Sequence, residues 1–197
     1  MYRRAMLTAA CTAAFVFAGL ESSFAATINT HQGWDGSQRV GEFGCPNTTT
    51  YGEVITAPKN ATLNKFSFWW TNDNSGGGSM VVRAEVYAWD GTKATGSALW
   101  ESDTRNIAYG DSAFHEEKFK PGALPLTPKA KYVLFATIDK DFSQCKNDYL
   151  LDWGLVADTV YPKGTFVYQN NGGASSQWTT TPWDVYGSDL VLIAAFH

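Results

Sequence analysis

An all-β fold, with two antiparallel sheets packed as a jelly-roll-like sandwich of about nine strands, is predicted by three observations. Short runs of β-branched and aromatic residues recur about every 8 to 15 residues, divided by Gly, Pro and Asn. After position 25, no stretch of roughly ten residues keeps a clean helical period. Residues 80–89, MVVRAEVYAW, alternate strictly: Val82, Ala84, Val86 and Ala88 fall on one face, Arg83, Glu85, Tyr87 and Trp89 on the other. The first set is expected to face the core and the second to stand half in water. Asp90-Gly91 supplies a hairpin turn, and Gly96 marks the start of the return strand over 97–102.

Taken in order, the chain opens with Arg3-Arg4, an apolar run and Ser23-Phe24-Ala25. A positive end, a short apolar stretch and a small-residue cleavage site predict a signal peptide over residues 1–25, since the apolar run is shorter than the roughly 20 residues that span a bilayer. Cys11 is expected to leave with it. Removal of residues 1–25 takes two of the 15 basic and one of the 19 acidic side chains, for a net charge of −5. Mild acidity without a Lys/Arg cluster excludes a nucleic-acid partner and electrostatic docking on anionic lipid. With no second apolar run, the mature chain is not expected to insert in a membrane, and the predicted location is secreted, periplasmic or extracellular.

A first strand is predicted at 27–29, followed by turn-rich chain through Trp34-Asp35-Gly36 and Phe43-Gly44-Cys45-Pro46, then a strand at 51–56. Beyond the Ala57-Pro58 turn, Phe66, Phe68 and Trp70 alternate with Lys65, Ser67 and Trp69. Residues 72–79, NDNSGGGS, read as a flexible surface loop. Strands follow at 114–120 and 131–139, the second apolar on both faces and therefore central. Residues 150–156 are ambiguous, 165–168 are a short strand, and 189–196 close the fold. The repeated Trp-Asp-Gly at 34–36 and 89–91 is taken as turn chemistry used twice, not as an internal repeat.

Cys45 and Cys145, 100 residues apart, are the two cysteines left after export and are expected to pair as a disulfide in an oxidising compartment. Two free thiols are the alternative. Metal binding lacks the CxxC or Cys/His clustering that zinc uses, so no metal and no cofactor is expected.

Five stretches, TYGEVITAP, RAEVYAWDGTKATGSALWES, LPLTPKAKYVLFAT, YPKGTFVYQNN and GSDLVLIAAF, resemble a family of small exported bacterial β-sandwich domains, many of whose members carry a C-terminal Pro-Glu-Pro sorting signal. The resemblance covers residues 44–196 and implies the sandwich and export. It assigns no catalytic residue, and because that tripeptide is lacking, anchoring is not carried over.

No Gly-x-Ser-x-Gly elbow, HExxH motif or P-loop is present. His31, His115 and His197 are scattered and read as surface residues. A pair of glycosidase carboxylates could be drawn from Glu85, Asp139 and Asp141, but solvated surface charge accounts for them equally well, and Glu116 and Glu117 lie on opposite faces. No catalytic residues are assigned. Asn72-Asp73-Asn74 and Asp139-Lys140-Asp141 are oxygen-rich but do not match an EF-hand loop.

What remains is aromatic: eight Trp, nine Tyr and twelve Phe. An indole on a half-wet surface can stack on the C–H face of a sugar while its N–H and polar neighbours bind hydroxyls. Trp69 beside Lys65 and Ser67, Trp89 beside Arg83 and Glu85, and Trp178 and Trp34 in loop-like settings are the ligand-binding candidates. The expected partner is a polysaccharide or cell-envelope glycan. The alternative is a structural envelope or extracellular-matrix protein with no small ligand, in which case these side chains only pack.

Overall fold

In the computed structural model, which describes residues 25–46, 48–72, 78–145 and 149–197, the described residues form fifteen strands. They are β1 Ala26–Asn29, β2 Arg39–Phe43, β3 Thr50–Thr56, β4 Thr62–Thr71, β5 Met80–Trp89, β6 Ala94–Glu101, β7 Arg105–Ile107, β8 His115–Phe119, β9 Leu124–Pro125, β10 Lys131–Thr137, β11 Leu151–Val156, β12 Thr165–Gln169, β13 Asp184–Val185, β14 Asp189–Leu190 and β15 Leu192–Phe196. The excess over nine comes from pieces of two or three residues and from β2 and β11. Residues 1–24, which carry most of the expected signal peptide and Cys11, lie outside the described residues, as do Asp73 to Gly77 of the Gly-rich loop.

The strands pair antiparallel in two sheets. One runs β1-β15-β4-β11-β14, with β2 on β11 and with β8 and β9 on β4; the other runs β13-β12-β3-β10-β5-β6, with β7 on β5. Alternation in β4 does what its sequence requires: Phe66, Phe68 and Trp70 are at most 1% exposed, while Trp69 points out of the sandwich and stays half-buried. Opposite them, Val82, Ala84, Val86, Leu134 and Ala136 complete the interior. Trp153 packs between Phe68 and Trp70, both 4.9 Å away, and so joins β11 to β4. Cys45 and Cys145 form the disulfide, with Cα atoms 5.9 Å apart.

Both Trp-Asp-Gly turns work the same way. Asp35 Oδ1 accepts from the amides of Ser37 (2.7 Å) and Gln38 (2.8 Å). Asp90 Oδ1 accepts from those of Thr92 (2.8 Å) and Lys93 (2.9 Å). Gly36 and Gly91 take the positive φ that such turns need.

The outward face of β5 corrects the sequence reading. Glu85, Tyr87 and Trp89 are buried, because a second apolar layer covers the outside of this sheet. Tyr87 and Trp89 on β5, Val133 and Phe135 on β10, Val54 on β3 and Val167 on β12 form its floor, and Trp178 and Trp183 form its lid. The lid is carried by a four-residue helix, α1 Gln177–Thr180, and the turn after it. Six apolar side chains on one sheet face could not remain in water, and residues from about 40 positions downstream of β10 supply the cover.

Candidate functional site

The four tryptophan candidates divide into two pairs. Trp178 is 1% exposed and Trp89 9%. Trp178 donates its indole N–H to Asp139 Oδ2 at 2.8 Å and packs edge-on to Phe135 at 5.1 Å, with Lys140 Nζ 5.5 Å above its ring. Trp89 meets Trp183 edge-on at 5.6 Å. Neither can offer a face to a ligand, so both are withdrawn as binding residues. Of the polar neighbours that made Trp178 look exposed, Ser176 and Thr180 are exposed and Ser175 and Thr179 half-buried, while the indole itself turns inward.

The carboxylates considered for catalysis are likewise not solvated charge. Glu85, Asp139 and Asp141 are all buried. Lys140 Nζ lies 2.8 Å from Glu85 and 2.5 Å from Glu101; Arg83 lies 2.7 Å from Glu101 and 2.6 Å from Asp141. Burial pushes the Glu85 carboxyl up, against the pull of Lys140. Glu101 is drawn down by hydrogen bonds from Lys140 and Arg83, which outweigh its desolvation. Asp139 is spent on Trp178, the Thr50 hydroxyl at 3.2 Å and the Gly173 amide at 3.3 Å. This network is a polar clamp between β5, β6 and the 3-10 turn Asp139–Gln144, in which Lys140 and Arg83 face most of the carboxylate oxygens while the buried Glu85 Oε2 has no hydrogen-bond partner. Among the described residues, no group of three or more His, Cys, Asp or Glu side chains is arranged to hold a metal ion.

The other pair, Trp34 and Trp69, comes together on the outer face of the eight-stranded sheet. A 3-10 turn, His31–Gly33, follows β1 and throws His31 and Trp34 back over that face. The Asp35 turn then fixes Trp34, whose indole N–H is donated to the Gln38 carbonyl at 2.8 Å. Amide donors at that turn hold the Asp35 carboxyl below the usual carboxylate range. Trp34 lies directly over β11: a Cβ added at Gly154 would stand 3.2 Å from its ring and 2.9 Å from Val191. The glycine is therefore what lets an indole lie on the sheet.

His31 sits 4.6 Å from Trp69 and 5.7 Å from Trp34, and Trp34 meets Phe114 edge-on at 4.7 Å. All four rings are half-buried, giving an aromatic row Phe114–Trp34–His31–Trp69 across the sheet. Polar groups flank it. Glu116, paired in register with Trp69, bonds Lys118 at 2.6 Å, and hydrogen bonds from Lys118 and Ser67 hold its carboxyl low despite some desolvation. Phe114 and His31 were not singled out as binding residues; the only clue is that His31 lies three positions before Trp34, one turn of a tight helix. Half-wet rings inclined to one another by 42–88°, with the Glu116 carboxylate and the Lys118 ammonium alongside, can each stack singly on a flat apolar face and hydrogen-bond its rim. No helix of the described residues is long and apolar enough to cross a membrane. No protein-family model matches the chain, and no curated protein or solved structure does either.

Proposed function

We propose that the protein is a secreted, non-catalytic carbohydrate-binding module that takes a neutral polysaccharide on the Phe114–Trp34–His31–Trp69 row. One observation carries the reading: two tryptophans from distant parts of the chain, bridged by His31, share one half-wet sheet face while the other two candidates pack inside. Pyranose rings present C–H faces that stack on indoles, and the exposed Glu116 and Lys118 groups beside Trp69 suit hydroxyls. The disulfide fits an oxidising, extracytoplasmic compartment.

Stacking with few water-exposed hydrogen bonds supports dissociation constants of about 1 mM to 1 μM, largely insensitive to salt. The test is retardation in native gels that contain neutral polysaccharides, for wild type, Trp34→Ala and Trp69→Ala. Loss of retardation in either variant with an almost unchanged thermal midpoint is the expected result. If no glycan retards the wild type, or if every loss of binding tracks a loss of fold, the structural envelope or matrix role takes its place.

A further inference from the structure

A cleft of about 490 Å³ opens at the other side of the sandwich, where β2 of one sheet approaches β3 and β12 of the other. Its floor is Tyr51 and Phe166, both buried, with ring centres 5.0 Å apart. The Tyr51 hydroxyl donates to the Gly41 carbonyl at 2.6 Å, so the floor also ties the two sheets together. The walls are Tyr168, Tyr186, Glu42 and Asn170. Tyr186 is 49% exposed although its ring lies 5.1 Å from Phe166 and its amide donates to the Phe166 carbonyl at 3.1 Å. A large apolar plate is thus held rigidly in place with half its surface in water. Glu42, also exposed, is held at φ 69°, which costs a side-chain-bearing residue energy that a glycine would not incur.

Charge decides what the cleft takes. Glu42 is the sole charged residue among the described lining residues. Tyrosine faces are themselves electron-rich and attract cations. A carboxylate, the exposed Tyr186 and the half-buried Tyr168 around one opening give a negative field with no lysine or arginine among the described lining residues to cancel it. Asn170 adds an amide that can donate to and accept from hydroxyls. We propose that this cleft is a second, independent subsite that binds a sugar residue carrying a protonated amino group, the ammonium meeting Glu42 and the ring lying against Tyr186 and Tyr168. It shares no residue with the Trp34–Trp69 row, and its binding is salt-sensitive where that of the row is not.

The probe is a hexamer of β-1,4-linked glucosamine, titrated calorimetrically beside its fully N-acetylated counterpart. A pH of about 5.5 keeps the amine charged, well below the roughly 7.7 of an α-amino group, and keeps a carboxylate ionised. The deacetylated hexamer is expected to bind at least about tenfold tighter than the acetylated one. Glu42→Gln, Tyr186→Ala and high salt should each weaken it by about tenfold. Trp34→Ala/Trp69→Ala should change it less than about twofold. Equal affinity for the two hexamers, no binding of the deacetylated one, or full affinity in Glu42→Gln overturns the proposal. Loss in the double tryptophan variant alone also overturns it, since the probe would then lie on the aromatic row. The row itself is judged separately, by neutral polysaccharide, so the two can fail independently.

Discussion

Glu53 and Asp189 are both fully buried, and they make the stability of this domain depend on pH in an uncommon direction. Glu53 shares a strand face with Tyr51 and Ile55, so its carboxyl enters the sandwich interior from β3 and meets Asp189, contributed by β14 of the other sheet. Each has one oxygen satisfied: Glu53 Oε2 accepts from the Leu190 amide at 2.9 Å, Asp189 Oδ2 from the Tyr161 amide at 2.7 Å. The remaining oxygens, Glu53 Oε1 and Asp189 Oδ1, have no donor if both groups are ionised. One proton between the two carboxyls satisfies both, because a protonated acid donates to its ionised neighbour. Burial first and the Asp189 charge second push the Glu53 carboxyl well above its usual value; burial also raises Asp189, against its amide donors.

A carboxyl whose folded pKa is raised stabilises the fold fully below its unfolded value, about 4.3 for Glu, and that stability drains away as pH rises toward the folded value. Within that window one proton is lost preferentially on unfolding, so stability falls by about 1.4 kcal/mol per pH unit. For a domain of this size the melting midpoint should fall by roughly 3–6 °C per unit. The opposing groups, Asp35, Asp90, Asp111, Glu101 and Glu116, are held low by turn and side-chain donors, and their contribution is lost as pH drops through the acid range, below the window in question. Glu85 is raised and adds a slope of the same sign as Glu53. The assay is the melting midpoint of wild type and Glu53→Gln, by circular dichroism, at half-unit steps from pH 5 to 9. Glutamine keeps a donor toward Asp189 without a titrating proton, so its curve should be visibly flatter. Parallel curves for the two proteins would refute the shared proton.

Further outcomes follow from burial. Val86→Asp and Tyr87→Asp should both prevent stable folding in a urea melt, because β5 is covered on both faces and either substitution strands a carboxylate. A mild Tyr87→Asp would mean that the Trp178–Trp183 lid does not seat. Trp178→Ala should cost about 3–5 kcal/mol by opening a cavity and removing the indole donor of Asp139, which keeps only Thr50 and Gly173, whereas Trp34→Ala should cost far less. Comparing the two by denaturant titration checks the division between packing and surface indoles. Thiol titration of the denatured, unreduced protein should find Cys45 and Cys145 blocked, and Cys45→Ser/Cys145→Ser should lose up to roughly 4–5 kcal/mol.

Local pattern alone settled a good part of this molecule. Alternation in β4 decided that Phe66, Phe68 and Trp70 go in and Trp69 out. The double-faced apolar run of β10 decided that it is central, and it does lie between β3 and β5. Two Trp-Asp-Gly turns announced themselves because an aspartate two residues before an amide closes its own turn. Other features were hidden by interruptions of the local pattern. Strand β2 was missed because Gly41 and the left-handed Glu42 break its alternation, and the expected closing strand is two, β14 on β11 and β15 on β4, with Val191 turning between them.

The fate of individual tryptophans and carboxylates was decided only by tertiary structure. Trp69 and Trp89 stand in the same kind of context, an indole alternating beside a cation and a polar group, yet one is half in water and the other sealed. The difference is made by residues 176–183, about ninety positions beyond Trp89, which lie over one sheet and not the other. Likewise Trp34 and Trp69 share one sheet face, bridged by His31, because a short turn follows β1 and lies over the sheet, and Glu53 and Asp189 meet because their strands belong to facing sheets. Alternation says which side of a strand a residue takes; what lies on that side is contributed by chain that is distant in sequence, and periodicity carries no record of it.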